Sequence, residues 1–420
     1  MLPACATPLR IAASRGKPAD LEREPYPTIM RIGIDTLPLV QSMHGGAGPY
    51  IRHLITGLQE IDRQNEYWIF TSSWSSKEFQ LTAPNFHEVN FSFNQENRLI
   101  RVLVEQVRIP QYARKLELTV VHSPIYVAPL RLPCASVVTI HDLQAFYPEL
   151  TRTWRWAQYY YYRLLIPPSL RRASRIIAIS DFTAQDLVDK LHVPPGRIAT
   201  IHRGVDQELF RSDLDASRDA EIRARYELDK DYLLCVGGYA PHKNLDTVAK
   251  AMEILRRERG VDMQLVVIGL QTDFFRHWRS RLPAGPLNAG RYRFPGHVPT
   301  GDLPYLYKMA RCLVCASLFE GFGLPLLEAF ACGCPVISSN TTALPEVAGG
   351  AALLIDPLDA RAIASAIHEL CTNGTLRSQL IQKSLARARG CTWRREAAAT
   401  LATYEAAAEA GRGGARNRSS

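Results

Sequence analysis

Two glutamates, Glu320 and Glu328, lie eight positions apart in the stretch FEGFGLPLLEAFACGCPVISS. The apolar run CLVCAS before them predicts a strand, and PLLEAFAC predicts a helix that Gly333 ends. Glycine in the turn lets a ligand approach the backbone, and the free N–H groups of the helix start favour a phosphate. Glu328 is placed near the first turn, where the helix dipole stabilises a carboxylate, or it accepts hydrogen bonds from two adjacent hydroxyls, as a ribose offers. On these residues alone, a ligand site and a plain capped helix fit equally well.

The elements that position this stretch alternate between strand and helix along most of the chain. Apolar runs without polar alternation are typical of parallel strands that helices cover on both faces. Such runs predict strands at residues 31–35, 67–72, 118–123, 136–142 and 175–180, and again at 232–238, 264–269, 312–317, 335–339 and 351–356. A charged segment without a strand pattern, residues 204–231, separates the two groups. The sequence therefore predicts an α/β fold with two doubly wound, Rossmann-like domains.

The domain boundaries follow from this division. Met30 directly precedes the first strand and is an alternative start of the protein. We assign residues 1–29 to a flexible leader, 30–205 to the first domain, 206–390 to the linker and second domain, 391–410 to a helix that crosses back to the first domain, and 411–420 to a disordered tail.

The composition is that of a globular protein with a basic balance, a formal charge of +9 over 420 residues. No apolar run reaches the roughly 18 residues that span a bilayer, and the first 29 residues lack a signal-peptide pattern. We therefore expect a cytoplasmic protein whose nine cysteines are free thiols. No metal is expected, because Cys312 and Cys315 lie at odd separation on one strand and so face opposite sides.

The segment 151–175 combines aromatic side chains with six arginines and no acid. A helix packed on the first sheet with its arginines in solvent and a helix on an anionic membrane surface fit this pattern equally well. An RNA-binding face fits it less well, and no nucleic-acid partner is expected.

The segment EGFGLPLLEAFACGCPVISSNTTALPEVAGGAALLIDP resembles the glutamate–seven–glutamate signature of glycosyltransferase family 4, retaining enzymes of the GT-B fold. The order of parts matches over residues 30–405, and the whole is similar to O-antigen mannosyl- and rhamnosyltransferases. The resemblance implies two Rossmann-like domains facing across a cleft, with the acceptor on the first and the donor on the second. It implies a nucleotide-sugar donor, predicted as a GDP-linked mannose or deoxyhexose, and a lipid-linked or growing surface polysaccharide acceptor. Neither a cofactor nor a metal is implied, and residues 152–175 would contact the inner membrane from the cytoplasmic side.

The same resemblance assigns roles to individual residues. It places Glu320 on hydroxyls of the transferred sugar, Glu328 on the nucleotide ribose, Lys243 on the diphosphate and His141 beside the transferred sugar, so that His141, Glu320 and Lys243 form the catalytic set. It also assigns backbone contacts with the donor to Gly321, Phe322, Gly323 and Leu324, with its diphosphate to Gly45 and Gly46, and with its base to His297 and Val298.

The chain departs from the family pattern at three positions. Gly238 and His242 stand where arginine is common, and Arg203 stands where asparagine is usual. Arg203 and His242 are therefore further candidates for the donor site, with Arg203 either replacing the missing cation or lying on the surface of the hinge, the preferred interpretation. A GT-B sugar-nucleotide epimerase, or a non-catalytic protein that binds sugar nucleotides or nucleic acid, remains an alternative.

Overall fold

The structure is a computed structural model that describes residues 29–39, 46–93, 97–151, 156–237, 240–269, 273–282 and 290–416. Several predictions fall outside these ranges. They concern the leader (1–28), Gly45, Gly238, the first arginines of the basic segment (152 and 155) and the last four residues.

The first domain is built on a sheet of parallel strands in the order β3-β2-β1-β4-β5-β6-β7. Its central strands are the predicted apolar runs. The edge strands β3 and β7 escaped prediction, because FHEVNF has neither a continuous apolar run nor strict alternation, and the last strand is only three residues long. The strands are β1 (Arg31–Asp35), β2 (Glu66–Ser72), β3 (Phe86–Phe91), β4 (Val120–Ser123), β5 (Ala135–Ile140), β6 (Arg175–Ala178) and β7 (Ile198–Thr200).

The second domain repeats this design with the strand order β10-β9-β8-β11-β12-β13. The edge strand β10 also escaped prediction, because YRFPG carries an arginine and a proline, and its pairing with β9 shifts register before Gly296. The strands are β8 (Tyr232–Val236), β9 (Gln264–Ile268), β10 (Tyr292–Gly296), β11 (Cys312–Cys315), β12 (Val336–Ser339) and β13 (Leu353–Ile355).

Helices cover both sheets. The first domain carries α1 (Ala47–Ile61), α2 (Arg98–Lys115), α3 (Pro148–Thr151), α4 (Trp156–Arg172) and α5 (Asp181–Leu191). The second carries α6 (Asp219–Arg225), α7 (Leu245–Arg259), α8 (Asp273–Arg281), α9 (Leu303–Met309), α10 (Leu324–Ala331), α11 (Leu344–Ala348), α12 (Ala360–Thr372) and α13 (Gly374–Arg389). The final helix, α14 (Trp393–Arg416), packs on the first domain, where Ala397, Tyr404 and Ala407 enter the core.

Helix α14 continues through residues 411–416, so the prediction of a disordered tail from residue 411 is wrong for these six residues. The glycines there argue against a helix when taken alone. Docking of the preceding turns supplies the nucleus, after which each added residue gains one backbone hydrogen bond. The Tyr404 hydroxyl lies 2.7 Å from Nδ1 of the buried His122, which fixes the helix on the sheet.

The chain crosses between the domains twice, and the two crossings touch. The amide of Val205 donates to the carbonyl of Cys391 at 3.0 Å, and the amide of Gly204 donates to the carboxylate of Glu396 at 2.8 Å. A Cβ on Gly204 would lie 2.4 Å from the backbone of Thr392, so only glycine fits at this crossing. The hinge therefore consists of two chain segments that pack against each other.

Candidate functional site

The carboxyl ends of the two parallel sheets face each other across the cleft, which is where open α/β sheets bind ligands. Strand β5 ends at Ile140 and is followed by His141, while β11 ends at Cys315 and is followed by the loop that carries Glu320. The domains touch here: a Cβ on Gly321 would lie 1.9 Å from the carbonyl oxygen of His141. The side of Gly321 that a side chain would occupy is therefore filled by the first domain.

Glu320 and Lys243 form an ion pair at the centre of the cleft. Nζ of Lys243 lies 2.6 Å from Oε1 of Glu320, which also accepts the Ser317 hydroxyl at 2.7 Å. Both side chains are largely shielded, with 17% and 15% of their surface exposed. Burial is the largest single influence and raises the pKa of Glu320, but the charge of Lys243 together with the hydrogen bonds from Lys243 and Ser317 outweighs it and holds the pKa below its ordinary value. Glu320 is thus a fixed anion that accepts hydrogen bonds and is poorly suited to donate a proton.

The turn before α10 brings Glu328 into the cleft. Gly323 has a φ of 105°, which favours glycine, and the helix begins at Leu324. The first turn of α10 contains no acid, so Glu328 lies just beyond that turn and the helix dipole has little effect on it. Its carboxylate accepts the Tyr307 hydroxyl at 2.7 Å instead. Burial raises its pKa to about 7, against the lowering effects of that hydrogen bond and of Arg203.

His141 is a buried, neutral imidazole. Its Nε2 lies 2.9 Å from the carbonyl oxygen of Pro124, so that nitrogen carries the proton and donates it. The rings of Tyr50 and Tyr126 meet it edge to face, with centroids at 5.1 and 5.6 Å. Burial and the charge of Arg203 lower its pKa to about 3. At neutral pH His141 can orient a substrate through Nδ1, but it cannot supply a positive charge.

Arg203 is 3% exposed, so the interpretation of it as a surface residue of the hinge is wrong. Its guanidinium lies over the rings of Tyr50 and Trp393, at 4.7 and 5.4 Å from their centroids. One nitrogen donates to the carbonyl of Gly46 at 3.1 Å, and Nε lies 3.3 Å from the carboxylate of Glu396. Arg203 thus ties the start of α1 to the hinge. The sequence marks Arg203 as a candidate because it stands where asparagine is usual, but its burial depends on α14, which is distant in sequence.

The remaining predicted residues are more peripheral in the geometry. His242 contacts the first domain, with its Nδ1 at 3.3 Å from the side-chain nitrogen Nε2 of Gln144. Burial and the charge of Lys243 lower the pKa of His242 to about 4. It is therefore neutral and does not replace a missing arginine. His297 is exposed and Val298 buried, directly after β10 at the same sheet edge. Their contact with the base stays a prediction, as do the amide contacts of Phe322 and Leu324.

Sequence reasoning missed several polar partners of the site. Ser317 holds Glu320, Tyr307 holds Glu328, and Thr342 accepts the amide of Glu320 at 3.2 Å. Ser317 follows a strand closely, a signal that could have found it. Tyr307 reaches Glu328 from a different helix, α9, and nothing in the local pattern marks it.

Within the part of the chain that the structure describes, no thiol belongs to a group with metal-ligand proximity. Cys312 and Cys315 pack in different apolar clusters on opposite faces of β11. Among the described residues, one group has metal-ligand proximity: Asp181, His202 and Glu346 offer ligand atoms within 4.8 Å of one another. The Glu346 carboxylate already accepts the amides of Asp181 and Phe182 at the start of α5, at 3.0 and 3.4 Å. We assign this group to contact between the domains.

Comparison with known proteins agrees with this geometry. The family model described as Glycosyl transferases group 1 matches residues 218–387, and Glycosyltransferase Family 4 matches residues 44–209. The chain is 33% identical over 291 residues to the O-antigen chain mannosyltransferase B of Escherichia coli, covering 68% of this chain and 73% of that protein. It is 28% identical over 223 residues to the serotype-specific mannosyltransferase WbdA of Escherichia coli, covering 53% of this chain and about a quarter (27%) of that longer protein.

A solved structure of a glycosyltransferase from Rickettsia africae matches the fold with a TM-score of 0.69. The match covers 91% of this chain and 99% of that structure at 16% identity. The prediction of two facing Rossmann-like domains is therefore confirmed. With the family matches, the chain belongs to the family 4 glycosyltransferases and has the GT-B fold.

Proposed function

We propose that the protein is a retaining glycosyltransferase that moves mannose, or a related deoxyhexose, from a GDP-linked donor to a lipid-linked or growing surface polysaccharide. The observation that carries this proposal is the Lys243–Glu320 pair at 2.6 Å, facing His141 across the cleft. The names of two mannosyltransferase relatives support the choice of sugar. A metal is not required by the arrangement, since Lys243 supplies the positive charge for the diphosphate.

The residues fit a front-face displacement. The acceptor oxygen bonds to the anomeric carbon on the face that the diphosphate leaves, and the carbon–oxygen bond to the phosphate breaks with its electron pair. The departing phosphate oxygen takes the proton of the acceptor hydroxyl. Lys243 stabilises the negative charge that grows on the phosphate, an effect that is strongest in the transition state. Glu320 and His141 orient the sugar through hydrogen bonds.

Thermal stability in the presence of nucleotides tests the donor class. A ligand that binds only the folded state raises stability by RT ln(1 + [L]/Kd). We expect GDP to raise the melting temperature more than UDP, dTDP or CDP, and Glu328→Ala to abolish the increase. GDP-mannose would then be tested for transfer, with the anomeric configuration of the product read by NMR. A larger effect of another nucleotide corrects the donor, and an inverted product refutes retention.

The membrane partner is the second part of the proposal, because two helices of the first domain expose apolar stripes. Among the described residues, ten large apolar side chains are exposed, and seven of them lie on α2 and α4. They recur every four residues, which places each set along one helix face: Leu99, Leu103 and Val107 with Ile100 on α2, and Trp156, Tyr160 and Leu164 on α4. Both helices bond to the same backbone residue, since Gln106 of α2 and Ser169 of α4 contact Ala128.

The charges on α2 and α4 indicate which kind of partner this surface binds. Helix α4 contains no acid, and the single acid of α2, Glu105, is buried. The C-terminal halves of both helices expose cations: Arg108, Arg114 and Lys115 on α2, and Arg171 and Arg172 on α4. Apolar stripes beside unopposed cations fit the interface of an anionic bilayer. Helix α4 continues through Pro167 and Pro168, although proline inside a helix usually interrupts it. Among the described residues, no helix has the length and apolar character to span a bilayer.

Vesicle sedimentation tests the membrane contact. We expect wild-type protein to bind phosphatidylglycerol vesicles and not phosphatidylcholine vesicles. Leu103→Glu and Leu164→Glu, at residues that are 63% and 66% exposed, should each weaken binding. Leu358→Glu, at a second-domain residue that is 67% exposed, should not. Equal binding by all three variants would contradict the proposal.

A further inference from the structure

A cavity of about 300 Å³ lies at the hinge, between the two segments that cross from one domain to the other. One wall is formed by residues 200–203 at the end of β7, and the other by the end of α13 and the start of α14. Arg387 lines the cavity from the second domain, and Arg395 and Ala399 line it from α14, which packs on the first. Of the described residues considered for the donor site, Arg203 alone reaches this cavity.

Two arginines give the cavity an excess of positive charge. Burial lowers the pKa of His202 in the lining, and the charges of Arg387 and Arg395 lower it further, against the opposing effect of Asp181. His202 is therefore neutral at neutral pH, and both arginines lie close enough to the same imidazole to act on it. Neither guanidinium pairs with a carboxylate in the described part of the chain.

The acid in the lining does not compensate these charges. Glu396 is 3% exposed, and its oxygens contact Nε of Arg203 at 3.3 Å and the amide of Gly204 at 2.8 Å. Burial raises the pKa of Glu396 to about 7, so this carboxyl offsets at most the charge of Arg203. The lining therefore keeps the two positive charges of Arg387 and Arg395.

Both arginines are held in place and keep N–H groups for a ligand. Arg387 donates through Nε to the carbonyl of Val347 at 3.2 Å and through a terminal nitrogen to the carbonyl of Glu346 at 2.8 Å. Arg395 donates to the carbonyl of Gly390 at 3.3 Å. Because a guanidinium carries five N–H groups, most of them remain available on both side chains.

We propose that the hinge cavity binds a small soluble phosphate monoester, which holds the domains in the arrangement in which they touch across the cleft. A phosphate group carries a charge of about −1.5 to −2 at neutral pH, which matches the two arginines, and guanidinium groups pair well with its oxygens. Ligand pockets measure roughly 300–1,000 Å³, so this cavity suits a phosphate with a few carbon atoms. The carbon atoms pack on Ile201 and Ala399, the apolar part of the lining.

The position of the cavity couples it to the cleft. Its lining joins Arg387 of the second domain to Ile201 and Arg395 of the first, in the arrangement in which Gly321 lies against the carbonyl of His141. A ligand that binds this arrangement better than an open one shifts the domains towards it. The bound anion should therefore raise the affinity for a nucleoside diphosphate between the domains, a step that rests on the proposed glycosyltransferase function.

Calorimetric titration of the full chain with glycerol 3-phosphate, in a buffer without phosphate, tests the site. We expect glycerol 3-phosphate to bind and glycerol, the uncharged control, not to bind. Arg395→Glu should weaken binding at least about tenfold, because a hydrogen bond between charged groups is lost, and Arg395→Gln should weaken it less. The matched control is Arg394→Glu, at an exposed neighbour that does not line the cavity, and it should stay within about twofold of wild type.

Absence of binding by wild type overturns the site, and so does equal weakening in Arg394→Glu and Arg395→Glu. Binding that is lost in Lys243→Met and kept in Arg395→Glu also overturns it, because the anion then occupies the donor site.

Coupling is measured by titrating GDP, UDP, dTDP and CDP with and without saturating glycerol 3-phosphate. We expect the affinity of the matching nucleotide to rise about fivefold with glycerol 3-phosphate in wild type and not in Arg395→Glu. An unchanged affinity overturns the coupling between hinge and cleft. Absence of binding by every nucleoside diphosphate overturns the glycosyltransferase proposal instead, so the two failures are distinguishable.

Discussion

The pH dependence of donor binding tests whether Glu328 holds the ribose. Burial raises the pKa of this carboxyl to about 7, and its ionised form accepts the hydrogen bonds of ribose hydroxyls much more strongly than its protonated form does. With a pKa of about 7, the ionised fraction rises from about one tenth at about pH 6 to about nine tenths at about pH 8. We therefore expect the affinity for the matching nucleoside diphosphate to increase about tenfold over this interval.

Tyr307→Phe sharpens the prediction. The Tyr307 hydroxyl donates to the Glu328 carboxylate at 2.7 Å, which stabilises the ionised form. A hydrogen bond to a charged group contributes about 1.5–3 kcal/mol, and about 1.4 kcal/mol corresponds to one pKa unit. Its loss should therefore move the pH profile of donor affinity upward by about one to two units. Tyr305→Phe, on the same helix but facing Arg218, is the matched control and should leave the profile unchanged.

The same carboxyl should make folding stability fall with rising pH, opposite to its effect on donor affinity. Its pKa in the folded protein lies above the ordinary value of 4.5, so its stabilising contribution is present below about pH 4.5 and lost as pH rises through about 7. Titration calorimetry between about pH 5.5 and about pH 9 measures the affinity, and melting of the ligand-free protein measures the stability. A flat affinity profile in wild type, or an unshifted profile in Tyr307→Phe, would refute the assignment of Glu328 to the ribose.

Three further substitutions address the centre of the cleft and the hinge. Lys243→Met should lower kcat by about 10²–10³-fold, because the growing charge on the diphosphate loses its cation; kcat within tenfold of wild type would exclude that role. Gly321→Ala should reduce transfer while each domain keeps its fold, because the added Cβ would meet the carbonyl of His141 at 1.9 Å. Limited proteolysis should then report a more open cleft. An unchanged proteolysis pattern would count against closure of the domains at this contact. Arg203→Met should destabilise the protein by about 3–5 kcal/mol in denaturant titration, because it leaves Glu396 buried without its partner. Adding Glu396→Gln to the same chain should recover part of the lost stability. No recovery would show that the loss comes from packing of the Arg203 side chain and not from its charge.

Local patterns in the sequence were sufficient for the central architecture. Continuous apolar runs determine the buried parallel strands, because a strand covered on both faces cannot tolerate polar alternation. The same patterns located the two facing domains and the loop that carries Glu320, since the strand, glycine turn and helix are adjacent in the chain. Edge strands such as β3 and β10 escaped, because most of their residues are only partly buried or exposed, and polar residues or proline interrupt their apolar runs.

The environment of each functional group was decided by tertiary structure. Arg203 is buried by Trp393 and Glu396, almost two hundred positions away, so its role could not be read from HRGVD. The raised pKa of Glu328 depends on burial that several elements create together, and its hydrogen bond comes from Tyr307.

Surfaces and cavities depend even more on the fold. Helix α2 carries apolar residues on more than one face, and only the packed domain shows that Ile109 and Ala113 enter the core while Leu99, Leu103 and Val107 stay exposed. The cavity at the hinge exists because residues 200–203 and the start of α14 meet there at a distance that their side chains do not fill. The sequence by itself therefore determined the family, the central strands and the chemical types of the site residues, which are local properties. Charge state, exposure and empty space arise from contacts between distant segments, so only the tertiary structure decided them.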